Sequence, residues 1–282
     1  MRAEQITQPI SFHGEGPFWD PRSAKMHLVD MLAGVIVELD GEIPVRHEVG
    51  SVAAAVRARK SGGYVVAVER GFRLLDAHFR PEGEVIAAFT DPEIRMNEGG
   101  CDPQGRFYCG SMAYSADAGR GTLYRIDDDL SVHTVLGDVT ISNGLQWSAD
   151  GSRVYHVDTP TGRIDVLDFD GDTGAMTNRR PFIEIDGEGN PDGLAIDEED
   201  GLWVALYGGS AVRHYDRGGV LVDTVELPVT NVTACAFGGD DLRTLYITTS
   251  REGLDDGDQP EAGALFSVHT SVAGASQHEF SG

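Results

Sequence analysis

Glu15, Asn97, Asn143 and Asp192 stand at the same place in four copies of one repeat, 11, 10, 11 and 10 residues before a strand-like run. Side chains at equivalent places in a closed ring of repeats point at one central spot. Glu15, Asn143 and Asp192 offer two carboxylates and one amide oxygen. Such an all-oxygen set suits one divalent ion, Ca²⁺, Mg²⁺ or Mn²⁺, and leaves positions for water and substrate. Zn²⁺ is compatible but more often recruits histidine or cysteine. His13, two residues before Glu15, is read as a bystander. Asn143-Gly144 and Asp192-Gly193 are also ordinary turn dipeptides. The shared register carries the functional reading, not the residues singly.

Six segments must position these residues, each a turn followed by a strand: 19–30, 58–69, 101–112, 147–158, 196–207 and 237–248. With one anchor in each (Met26, Tyr64, Phe107, Val154, Leu202 and Leu245), the intervals are 38, 43, 47, 48 and 43 residues. A glycine-containing turn and a further strand follow each segment, and a short run of small apolar residues precedes it. Amphipathic helix periodicity is scarce. Repeats of this length built of short strands predict an all-β, six-bladed β-propeller with four antiparallel strands per blade, as one domain over 1–282. An open edge between first and last blades invites aggregation, so the segment near Gln5–Phe12 is expected to complete the C-terminal blade. In the two blades without a polar residue, the corresponding places fall near Ala53 and Ala234. Small residues there leave room for a ligand.

The bulk composition narrows the partners. Acidic residues number 46 against 22 basic ones, a formal net charge of −24. This opposes nucleic-acid and anionic-membrane binding. No run approaches the ~20 apolar residues of a membrane helix. The N-terminus carries no apolar stretch of signal-peptide length. Cys101, Cys109 and Cys235 read as buried thiols in a reducing compartment, so a cytoplasmic location is expected. No GxSxG elbow, Walker loop or dinucleotide fingerprint is present. Asp30 and Asp158 end equivalent strands and are expected to satisfy turn amides. Trp19, Trp147 and Trp203 are expected to pack between blades, with a lining role open for the first two.

The segments 14-GEGPFWD-20, 95-RMNEGGCDPQGRFYCGSM-112, 141-ISNGLQWSADGSRVYHVDT-159, 191-PDGLAIDEEDGLWVALYGG-209 and 233-TACAFGGDDLRTLYIT-248 resemble the gluconolactonase/regucalcin family. The match runs in family order over nearly the whole chain. The resemblance implies a six-bladed propeller with a divalent metal held by Glu15, Asn143 and Asp192. It implies substrate contacts at Arg95 and Asn97, and a contact to sugar hydroxyls at Glu98, where relatives often carry aspartate. A further acidic residue of some relatives has no clear match between Ala113 and Thr122; Asp117 is the nearest. The reaction implied is hydrolysis of sugar-acid lactones to aldonic acids, with a small sugar lactone as partner. A metal can polarise the lactone carbonyl and acidify water, and Asp192 could accept the proton from that water. Ester or phosphotriester hydrolysis, and non-catalytic calcium binding, are the alternatives. The oligomeric state is not legible.

Overall fold

Gly- and Asp-rich corners turn the chain back on itself, and the runs between them become strands. The computed structural model describes residues 1–282 apart from Glu42 and Asp256, with the backbone alone at Asp40. Six four-stranded antiparallel sheets result, as the repeat predicts. Their inner strands are Gly14–Asp20, Ala53–Ala58, Ile94–Cys101, Ser142–Trp147, Asn190–Ile196 and Val232–Gly238, which define blades one to six. Each inner strand packs on that of the next blade, and the first packs on the last, closing a ring.

Burial falls from the axis outward, and the residue types follow it. All six residues of Ala53–Ala58 are buried, whereas the outermost strand of that blade, Pro81–Ala87, is almost wholly exposed. An inner strand has neighbouring strands on both faces, and in blade two small and β-branched side chains fill most of it. The largest buried cluster joins Phe18, Phe72, Phe107 and Phe280 across blades one to three and the C-terminus.

The ring is closed by the N-terminus. Glu4 and Gln5 pair with Ser267 and Phe266 as the fourth strand of blade six. The expected pairing segment, near Gln5–Phe12, is displaced toward the start of the chain. Residues after Gln5 keep single bonds instead: Ile6 N–H donates to the Leu265 carbonyl and Ile10 N–H to that of Gly263. Without this strand, blade six would have three strands and an open edge.

The last ten residues cross the lower end of the channel. Ala275 N–H donates to the Ile196 carbonyl in blade five. Phe280 N–H donates to Ala58 in blade two, and Ser281 N–H to Gly105 in blade three. Beneath the tail lies a cavity of about 270 Å³, lined in part by Arg57, Trp147, Phe237 and Gln277. Trp19 is next to last and Trp147 last in their inner strands, at this lower end, so neither lines the upper mouth. Trp19 stacks on Tyr246 and Trp147 lies against Tyr108, while Trp203 stacks on His214.

Phe280 is fully buried, so Phe280→Ala is expected to destabilise the fold by about 3 kcal/mol. Urea unfolding measures this; an unchanged midpoint would show that the tail only rests on the propeller.

Candidate metal and substrate site

Every inner strand carries one extra residue at the same level. The register with the second strand shifts between Glu15 and Phe18, Ala53 and Ala55, Met96 and Gly99, Asn143 and Leu145, Pro191 and Leu194, and Val232 and Ala234. A β-bulge bends its strand and re-aims a side chain. Here six bulges at one level form the upper mouth of the channel.

The pairing also fixes which residues are equivalent. Trp19, Ala58, Cys101, Trp147, Ile196 and Phe237 pair with the six anchors. Four residues before each stand Glu15, Ala54, Asn97, Asn143, Asp192 and Thr233. Glu15, Asn97, Asn143 and Asp192 thus share one level. The other two places belong to Ala54 and Thr233, not to Ala53 and Ala234. The hairpins joining inner and second strands differ in length, which counting from the second strand alone does not register. Thr233 does not leave space for a ligand: its hydroxyl donates to the Gly14 carbonyl at 2.6 Å, tying blade six to blade one.

The next position round the ring holds Gly16, Ala55, Glu98, Gly144, Gly193 and Ala234. Space explains the small residues. A Cβ on Gly144 would lie 2.4 Å from Leu194 Cγ, and one on Gly193 2.5 Å from Ala234 Cβ. Glu98 is the exception. It is buried, its Oε2 has no hydrogen-bond partner, and the Gly144 N–H hydrogen-bonds to it.

A chain of hydrogen bonds orients the amides. Arg95 Nη1 donates to Asn97 Oδ1 at 2.6 Å and to the Met96 carbonyl at 3.0 Å. Asn97 Nδ2 donates to Asn143 Oδ1 at 2.8 Å and to the Ser142 carbonyl at 2.9 Å. Asn143 Nδ2 donates to Thr159 Oγ1 at 2.7 Å, which donates to the Pro191 carbonyl beside Asp192. This network assigns the amide orientations. It leaves Asn143 Oδ1 a second lone pair beside the carboxylates.

Glu15 and Asp192 are both buried. Glu15 Oε2 accepts only the long Gly16 N–H contact at 3.2 Å, and Asp192 Oδ1 has no partner. Burial pushes the Glu15 carboxyl well above its ordinary range, and the charge of Glu98 adds to this. Burial does the same to Asp192, followed by the charge of Glu15. Burial raises Glu98 to about 7. Arg95 supplies the opposing positive charge, itself weakened by burial. Two buried carboxylates that repel each other, one with an orphaned oxygen, suit a hard cation at their focus. Among the described residues no three His, Cys, Asp or Glu side chains form a metal cluster; the third oxygen of this set belongs to an asparagine.

His13 stands beside the site. Its Nδ1 hydrogen-bonds Ser250 Oγ at 2.7 Å, and its Nε2 lies 3.9 Å from Glu15 Oε1. Burial lowers its pKa to about 4, so the ring is neutral near pH 7. Asp30 accepts the amides of Phe12 and His13, and Asp158 those of Thr140 and Ile141, as their places at strand ends suggested. Asp117 is exposed and lies 3.8 Å from Arg120, so it brings no acid to the site.

Residues 13–251 match the SMP-30/gluconolactonase/LRE-like region. The chain belongs to this family. It is 36% identical to a 6-deoxy-6-sulfogluconolactonase of Pseudomonas putida, over 98% of this chain and 97% of that one. It is 35% identical to bovine regucalcin, over 95% and 94% of the two chains. The fold superposes on a calcium-binding regucalcin of Agrobacterium tumefaciens with a TM-score of 0.92 at 28% identity, covering 99% and 97%.

Three further residues at the mouth escaped sequence reasoning. Tyr114 places its ring over Arg95, 5.9 Å from guanidinium carbon to ring centroid, and donates to Glu69 Oε1 at 2.7 Å. Thr159 orients Asn143. Glu252 Oε2 lies 3.5 Å from His13 Nδ1. All three follow second strands, whose ends reach the same mouth as the starts of the inner strands. The extension of the repeat to those corners was the signal available.

His156 is fully buried, and Ser142 Oγ lies 2.9 Å from its Nε2. Burial lowers its pKa from 6.5 to about 3. Between those values the unfolded chain binds a proton that the folded chain refuses. This contribution to stability is therefore present above pH 6.5 and lost as pH falls toward 3. Unfolding across that window should show His156→Gln losing about 1.4 kcal/mol less per pH unit than the parent. Equal slopes would contradict a neutral buried imidazole.

Proposed function

We propose that this protein is a divalent-metal-dependent lactonase that opens sugar-acid lactones to aldonic acids. The carrying observation is the convergence of two buried, partner-poor carboxylates and one oriented amide oxygen beside the Arg95–Asn97 pair. Membership of the gluconolactonase family supports the reaction class, and the relative named for a sugar lactone supports the substrate class. The relative described as calcium-binding supports a divalent ion.

Glu15, Asn143 and Asp192 would hold the ion. Once bound, it would supply a Lewis acid for the lactone carbonyl and lower the pKa of nearby water. The remaining work falls to side chains. Arg95 is a fixed guanidinium that binds the lactone carbonyl and meets the negative charge developing there. Asn97 holds the Arg95 donor and the Asn143 acceptor in place. Asp192 Oδ1, free of hydrogen bonds, accepts a proton as water attacks the carbonyl carbon. The bond from that carbon to the ring oxygen then breaks. The same proton passes to the ring oxygen, leaving a carboxylic acid and a free hydroxyl. Glu98 lies beside this centre with an unpartnered oxygen for a sugar hydroxyl.

Two further features fit. The net charge of −24 disfavours nucleic acids and anionic membranes as partners. Three free, buried cysteines fit a reducing compartment such as the cytoplasm.

The test is acid release from five- and six-membered aldonolactones, with metal-stripped protein reloaded with single divalent ions. Turnover is expected with at least one ion. Asp192→Asn should lower kcat at least 100-fold, the scale expected of a proton-transfer group. Metal binding without acceleration of any lactone would favour a regulatory calcium-binding role. Turnover of aryl esters or phosphotriesters alone would move the substrate class.

A further inference from the structure

Arg95 and Glu252 belong to opposite blades at the upper mouth. Arg95 is on the inner strand of blade three, and Glu252 follows the second strand of blade six. In a ring of six these blades are opposite. Among the charges acting on the Arg95 guanidinium, that of Glu252 is the largest. Glu252 also acts on Asp192, Glu15 and the Tyr207 hydroxyl. It therefore belongs to the same electrostatic centre, although it lies outside the register shared by the inner strands.

Its backbone is fixed while its carboxylate is left available. Glu252 N–H donates to Ser250 Oγ at 2.9 Å, and its carbonyl accepts Asn231 Nδ2 at 2.9 Å. The side chain is about half exposed (47%), and its neighbour at 3.5 Å is the neutral His13. The His13 nitrogen facing it already hydrogen-bonds Ser250. Among the described residues no lysine or arginine makes an ion pair with Glu252. Asp192, buried and with Oδ1 unpartnered, feels the charge of Glu252 from within the same mouth.

We propose that Glu252 is a specificity-determining residue that makes this mouth select sugar lactones uncharged at the end away from the lactone carbonyl. The inference rests on the lactonase reading. With the carbonyl end held at Arg95, the far end of a sugar lies toward Glu252. A neutral hydroxyl there donates to the carboxylate. A carboxylate, sulfonate or phosphate there meets a like charge. Even before Glu98 is counted, Glu15, Asp192 and Glu252 would together carry as much negative charge as Arg95 and a bound divalent ion would carry positive. The loaded mouth therefore holds no surplus cation to attract an anionic group. Like-charge contacts of this kind are a common source of selectivity against a competing ligand. The segment 113–122, where Asp117 points to the surface, brings no acid to this place.

The experiment compares kcat/KM for D-galactono-1,4-lactone with that for D-galactaro-1,4-lactone, its 6-carboxylate counterpart of the same ring and stereochemistry. The metal-loaded full chain is used at low salt. The parent should prefer the neutral lactone. Glu252→Gln should reduce that preference about tenfold, and Glu252→Lys further. Raising salt to about 0.5 M should narrow the preference of the parent, because a half-exposed charge is screened. An unchanged preference in both variants overturns the proposal, as does a parent that prefers the anionic lactone. Should neither variant fold, the salt series on the parent decides, and a preference insensitive to salt overturns it. A parent that opens no lactone in the wider panel overturns the lactonase reading, and this inference falls with it.

Discussion

Glu15 and Asp192 are buried beside one another, and the rest of the upper mouth is arranged around that repulsion. Each carboxyl is driven toward its neutral form by burial and by a neighbouring carboxylate. A fold does not hold two such groups together for packing alone, since removing them from water costs several kcal/mol. The guanidinium of Arg95 opposes part of the repulsion. A divalent cation held as proposed by both carboxylates and the amide oxygen of Asn143 would oppose it far more strongly.

The propeller makes this arrangement possible through repetition. Six bulges at one level turn six positions toward a common axis. Three of those positions carry the ligands proposed here, Asn97 holds the network together, and Thr233 ties adjacent blades. Small residues at the next level let the inner strands approach, as the crowding at Gly144 and Gly193 demonstrates. Among the described residues, none of those placed at the site lies on an outer strand. The outer strands bury the faces that keep the inner strands in register, and the N-terminal strand completes the last of them.

Much of this was legible in the sequence because the repeat writes it six times. The six anchors pair in the structure with the last or next-to-last residues of the inner strands, so the periodicity located the blades and the four polar positions together. The two remaining positions were misplaced by one residue, at Ala53 and Ala234 rather than Ala54 and Thr233. The cause is local: hairpins of different length between inner and second strands do not change the hydrophobic pattern. Glu252 and Tyr114 were harder to find for a related reason. They sit on corners after second strands, where no shared residue type marks the repeat. Their partners, His13 and Glu69, are distant in sequence.

Glu15, Asn143 and Asp192 are proposed to form one site for a divalent cation. Calorimetric titration of metal-stripped protein with Ca²⁺, Mg²⁺, Mn²⁺ and Zn²⁺ tests it most directly. One ion per chain is expected, with a melting temperature that rises with ion concentration and about 2.7 kcal/mol of added stability at 100 times the Kd. Both effects should be lost in Glu15→Gln and Asp192→Asn variants that remain folded. Binding that survives unchanged in both variants, or no binding by the parent, would contradict it.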